Sequence, residues 1–211
     1  MAEVSPTRTE LLARRARISL AEQGRELLDG KRSALLREFN RLGAEGLRRM
    51  ELLDERAADA ARELGRAVAL DGPETVASAA LAAAGDVATP MGRRRVAGVE
   101  LVDSDPEAAG RQLAERGYSP VTSSARIDRA AAAHEAVVDL LLDSAIAERT
   151  LRRLASEIAS TTRRMNALEH VVLPRLEGER DRIALVLEER EREDATRLRR
   201  AKRRRERTGT R

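Results

Sequence analysis

The run from Leu151 to Val172 constrains this chain more than any other part of it. Leu151, Leu154, Ile158, Thr161, Met165, Leu168 and Val172 step by three and four residues without a miss. That spacing lays side chains along one stripe of an α-helix, as in the seam of a coiled coil. The next apolar positions are Leu176, Ile183 and Leu187. From Leu168 to Val172 to Leu176 the steps are four plus four, a local phase shift, and Pro174 sits inside it. Proline lacks the N–H of the helix ladder and its ring presses on the preceding turn, so a bend is expected there.

A helix with such a stripe needs a cover. Each large seam residue stabilises by roughly 1.5–3 kcal/mol only when a partner removes it from water. The chain supplies one. After Ser5-Pro6, a helix-start signal, a helical pattern runs from about Thr7 to Ala69. Leu28, Leu35, Phe39, Leu42, Gly46, Leu53, Ala57, Ala60 and Leu64 fall near a three–four spacing within it. The long connection to the second pattern lets the two helices fold back antiparallel. Pairing the middles of the two seams puts Phe39 near Leu168 or Val172.

The expected fold is therefore all-α: a long antiparallel two-helix coiled coil with a small middle knob. Residues 1–70 form the first long helix, 71–123 the knob, 124–205 the second long helix and 206–211 a basic tail. The knob is rich in Gly and carries Pro73, Pro90, Pro106 and Pro120. Segments 80–84 and 106–117 suit short helices. Residues 87–102 suit a short β-hairpin, with strands Val87–Pro90 and Arg95–Val102 turning at Met91-Gly92. This knob is expected to stand clear of the main seam.

Composition agrees. Charged residues make up 36% and aromatic residues 1%, Phe39 and Tyr118 being the whole aromatic set. An ordinary globular core fills space with aromatics; this profile is that of long helices. With no cysteine, disulfides and thiolate metal sites are excluded. His134 and His170 lie far apart and read as ordinary helix residues. No run reaches the ~20 apolar residues of a membrane span, and MAEVSPTRTE has no apolar signal region, so a cytoplasmic location is expected.

GRELLDGKRS, residues 24–33, looks like a phosphate-binding loop but departs from it. Five residues separate Gly24 from Gly30, and Arg32 follows Lys31 where the loop needs Ser or Thr for magnesium. The preceding residues read as helix rather than as the strand that such a loop follows. The net charge of +4 belongs to the C-terminus. Residues 197–211 hold nine Lys or Arg and one acid, leaving 31 basic and 35 acidic residues elsewhere.

Within the second seam, EIASTTRRMNALEHVVLPRLE, residues 157–177, resembles the signature of the D subunit of V/A-type rotary ATPases. Glu157, Ile158, Thr161, Arg163, Arg164, Asn166, Ala167, Leu168, Glu169 and Pro174 carry the match. PTRTELL, GRELLDGKRSALL and LEEREREDATRLRRAK resemble the family's opening, its Lys-Arg segment and its closing helix. Met165 stands where valine is usual, and Ala195-Thr196 where bulkier residues are common. The middle matches only loosely.

The resemblance implies a non-catalytic central-stalk axle without cofactor or metal. Its terminal end would enter the hexamer of A and B subunits, with the F subunit alongside. Its lower part would sit on the funnel-shaped subunit that caps the membrane ring, with no direct membrane insertion. ATP hydrolysis would turn the axle and the axle the ring, or ion flow would drive synthesis. Lys31, Arg32, Arg163, Arg164, Asn166, Glu169 and Pro174 are the candidate subunit-contact or structural residues. Exposed Arg–Glu pairs, worth about 0–1 kcal/mol each, suit contacts that must be exchanged during rotation.

Two other readings compete. The basic tail could make a nucleic-acid-binding coiled coil, with strongly salt-dependent affinity. No aromatic stacking platform or DNA-binding motif accompanies it, so no nucleic-acid partner is expected. Periodicity alone also fits a generic coiled-coil scaffold. Glu157, Arg163, Arg164 and Glu169 read better as solvated faces and subunit contacts than as a catalytic set.

Overall fold

A computed structural model describes residues 6–83, 85–104, 108–119, 121 and 123–208, without the side chains of 104 and 205–208. Helix α1 spans Arg8–Asp71 and α2 Pro73–Ala82; strands β1 and β2 span Met91–Val96 and Val99–Ser104. After a single 3-10 turn at Leu113–Glu115 comes α3, Ala125–Ala167. A π-helical turn, Leu168–Val172, leads into α4, Leu173–Thr208. The fold is an all-α coiled coil carrying one small antiparallel hairpin.

Local chemistry sets the boundaries. The Thr7 hydroxyl accepts the Glu10 backbone N–H at 3.2 Å and caps α1; Ser5 lies outside the described residues. Pro73 begins α2, where the missing N–H costs nothing. Of the expected short helix at 80–84, residues 80–82 are the end of α2, and 84 lies outside the described residues. Of the expected second short helix, the described residues hold only the 3-10 turn; 105–107 lie outside them.

The chain forms two compact units. One comprises Met1–Arg32 with Ala159–Arg211, the other Ser33–Ile158. In the first, helices pair antiparallel: Arg14 Nε lies 2.8 Å from Glu179, and the Cβ position of Gly24 lies 3.9 Å from Leu168 Cδ1. Ile18, Thr161, Met165 and Ile183 are buried.

In the second unit, Leu35, Leu42 and Leu154 form a buried cluster with Val99 and Leu101 of the hairpin. Phe39 packs on this cluster together with Leu151 and Ile158. The expectation that Phe39 meets Leu168 or Val172 is therefore corrected. Gly24, not Phe39, is the residue of α1 that faces Leu168, so in an antiparallel pair Phe39, further along α1, meets an earlier part of α3; matching the seam middles ignored this offset. Ala57 and Leu64 are exposed, and the stripe runs instead through Leu53, Ala60 and Ala67. Ala67 joins Ala79, Ile127 and Ala130 in a second cluster under Val76 and Tyr118.

The hairpin exists but in a different register from the expected one. Val96 pairs with Val99 and Met91 with Ser104, so Ala97-Gly98 is the turn. Both turn residues have positive φ, 48° and 78°, the backbone of a type I′ turn. Ala97 is a poor residue for that conformation, and its presence hid the turn. Nor does the hairpin stand clear of the seam: Val96, Val99 and Leu101 face the helices and complete their core. Arg93 and Arg95 face outward and pair with Glu100 at 3.8 and 3.0 Å.

Candidate subunit-contact surface

The seven candidate residues all belong to the first unit. Lys31 and Arg32 are half-buried on α1; Arg163, Arg164 and Asn166 are exposed on α3, Glu169 on the π turn and Pro174 in the first turn of α4. Arg32 Nη1 stands 4.0 Å from Asp29, a pair within one helix. Gly24 and Gly30 lie inside α1, where backbone N–H groups are spent on the helix ladder. Five of the seven residues thus crowd one stretch of twelve, around the π turn.

That turn is the local feature the sequence pattern obscured. The Leu173 N–H bonds to the Leu168 carbonyl, a five-residue span that takes one extra residue into the turn. The seam makes the same jump. Val171 and Val172 are 62% and 36% exposed, while Leu173 is half-buried. The seam therefore passes from Leu168 to Leu173, not to Val172, and goes on through Leu176, Ile183 and Leu187. The expected phase shift is present, but as one step of five rather than two of four. Three consecutive apolar residues, Val171 to Leu173, made the two options look alike.

In the second unit, a polar cluster holds the knob to α3. Arg116, 5% exposed, donates from Nε and Nη2 to the two carboxylate oxygens of Glu135, at 3.0 and 2.8 Å. Its Nη1 also donates to Asp128, which accepts the Tyr118 hydroxyl at 3.2 Å. The backbone N–H groups of Arg111 and Ala109 reach Glu135 and Asp139 at 3.1 and 2.6 Å. Asp128, Glu135 and Asp139 share one helix face by their spacing of seven and four. Burial works to raise the Glu135 carboxyl, but the Arg116 guanidinium and the Arg111 amide outweigh it and hold it below the usual carboxylate range. Hydrogen bonding to Glu135 raises Arg116 against the opposing effect of burial.

Asp71 closes the base of the same unit. It accepts from Ser124 Oγ at 2.6 Å and from Arg126 Nε and Nη2 at 3.1 and 2.6 Å, and Arg126 and Ser124 hold its carboxyl below the ordinary value. A cavity of about 410 Å³ opens between α2, α3 and the segment around Arg111, lined by Val76, Ala79, Ile127 and Val138 together with Arg111 and His134. His134 Nδ1 donates to the Ala130 carbonyl at 2.8 Å, an ordinary helix bond. Sequence reasoning missed Arg116 and its acidic partners. The 128–135–139 spacing was readable, but nothing in the sequence said that Arg116 would face it.

Along α4 past Glu191, exposed side chains continue to Arg204. No helix among the described residues is both long and apolar enough to cross a membrane.

Paired helices with a buried seam, a charged exterior and one packed hairpin define an all-α coiled-coil protein. Comparison gives the family. The family described as the D subunit of ATP synthase matches residues 10–203. The D subunit of the A-type ATP synthase of Thermococcus kodakarensis is 41% identical over 199 residues, covering 94% of this chain and 93% of its own. The D subunit of the V-type ATP synthase of Anaeromyxobacter sp. (strain Fw109-5) is 42% identical over 207 residues, 98% of this chain and 96% of its own. That of Archaeoglobus fulgidus, of the A-type, is 38% identical over 203 residues, 96% and 97% of the two chains. The chain belongs to the family of ATP synthase D subunits, components of V/A-type rotary ATPases.

Proposed function

We propose that this chain is the central-stalk rotor of a V/A-type ATPase, carrying torque between the A/B catalytic hexamer and the ion-translocating membrane ring. It does so without catalytic chemistry of its own. The observation that carries the reading is the near-full-length similarity to D subunits combined with a two-helix stem whose charges pair mostly within a helix. Arg41 with Glu38 and Glu45, Arg62 with Asp59, Arg66 with Glu63 and Arg175 with Glu179 are such pairs. A surface that satisfies its own charges grips no single partner firmly, which suits a part that must pass three equivalent interfaces.

The partners of this reading are the A and B subunits around the terminal end, the F subunit alongside and the funnel-shaped subunit below, at the cytoplasmic face of the membrane. Arg163, Arg164, Asn166, Glu169 and Pro174 are its exposed contact residues near the π turn, with Lys31 and Arg32 on the facing helix. Co-expression with A and B subunits tests it. The chain is expected to co-purify in one copy per hexamer and to turn under ATP in a single-molecule assay. A hexamer that excludes the chain, or hydrolyses ATP with the chain bound and stationary, would remove the rotor reading.

A further inference from the structure

The five-residue step at Leu168 leaves α4 with two usable seams. The covered stripe is Leu173, Leu176, Ile183 and Leu187, with Arg180 half-buried among them. A second stripe lies one residue earlier at each end: Val172, Leu176, Ile183 and Val186, with Glu179 in the middle. The two share Leu176 and Ile183. Val172 and Val186 are the outward members, 36% and 37% exposed.

Helix geometry relates the stripes to α3. At about 100° per residue, the second stripe continues the line of Thr161, Met165 and Leu168 without interruption. The covered stripe is centred roughly 60° further around the helix, and the π turn makes up that difference. A strictly α-helical chain would thus turn Val172 and Val186 inward; the observed one turns Leu173 and Leu187 inward, both half-buried.

We propose that the π turn is a switch between two packings of α4 on the start of α1: a π form with Leu173 and Leu187 inside, and a straight form with Val172 and Val186 inside. The doublets differ by one methylene each, so neither packing gains much apolar cover over the other. Pro174 sets the resting state. In an uninterrupted helix its ring presses on the His170 carbonyl, and the wider turn relieves that pressure. The facing surface leaves room at Gly24, where even an added Cβ would lie 3.9 Å from Leu168 Cδ1. Glu179, paired with the buried Arg14 at 2.8 Å, flanks the first stripe and centres the second, and the long arginine can follow it. The mechanical consequence, a point in the axle where twist is taken up by a discrete step, rests on the rotor reading; the switch itself does not.

The chain has no native cysteine, so single cysteines report cleanly. Val172→Cys, Leu173→Cys, Val186→Cys and Leu187→Cys are made in the full chain, each with and without Pro174→Ala, and thiol labelling rates are compared. In the parent, Val172→Cys and Val186→Cys are expected to label faster than their neighbours. With Pro174→Ala the order is expected to reverse at both doublets together. A reversal at the first doublet alone is a local effect of the proline and overturns the switch, as does no reversal. Deleting Val172 removes the extra residue of the turn and leaves the first stripe in line. At the second doublet, Val186 and Leu187, that chain is expected to keep the parental order even with Pro174→Ala, and a reversal there also overturns the proposal. Failure of the rotor reading shows separately, as a chain that does not join the A/B hexamer while its labelling pattern stands.

Discussion

Arg116 holds Glu135 by two parallel hydrogen bonds, at 3.0 and 2.8 Å, with both side chains largely shielded from water. Removing one partner leaves the other charge buried and unpaired. Arg116→Leu is expected to destabilise the chain by about 3–5 kcal/mol, read by urea unfolding. Arg116→Lys is expected to restore only part, because an ammonium cannot form the two-pronged contact.

The same pair sets a pH dependence. Glu135 and Asp71 have folded pKa values below their ordinary ones. Their stabilisation is present above the unfolded carboxylate value of about 4 and is lost as pH falls through the folded values. Melting temperature should be level near neutrality and drop in acid. In Arg116→Leu the burial of Glu135 acts with its main opponent removed, so the acid slope should flatten. An unchanged slope would show that Glu135 is not the group responsible.

The hairpin divides into a structural and a free face. Leu101 is 1% exposed, and Leu101→Ala should cost about 2–5 kcal/mol by leaving a cavity over Leu35 and Leu154. Arg93→Ala and Arg95→Ala, on the outward face, should stay within about 0.5 kcal/mol of the parent. Any change these two make to the ATPase rate of a reconstituted complex would then report function rather than folding.

Gly117 has φ of 79°, and a Cβ there would run into the Ala82 carbonyl. Gly117→Ala should therefore lose stability by about 1–3 kcal/mol from backbone strain alone, with the clash adding to it. Circular dichroism melts would check this; a loss within that range would mean that the α2 end moves away freely, and a neutral result would contradict the strain.

Lys31→Ala should leave ATP binding unchanged at the level of a buffer control. Lys31 lies within α1, and its segment lacks both the loop and the hydroxyl that a phosphate site requires. Calorimetric titration of the full chain gives the answer directly. Micromolar affinity abolished by this substitution would contradict the helical reading.

Periodicity determined the two long helical stretches and the place of the phase shift, and the long connection between them the antiparallel pairing. Repeated three–four spacing leaves an apolar stripe no other way to be covered within one chain, and each of its steps is a local property of the backbone. What periodicity could not decide is which of several adjacent apolar residues turns inward. Val172 and Leu173 were equivalent until the Leu168–Leu173 hydrogen bond chose between them. The register of Phe39 likewise depended on the pairing of the two helices, in which Gly24 and not Phe39 faces Leu168, and the stripe pattern is the same in any register shifted by whole turns. Arg116, Asp128 and Glu135 were invisible for the same reason. A charged residue in a helical sequence reads as solvated, and only the tertiary fold, by closing the knob over α3, took these charges out of water and made their pairing obligatory.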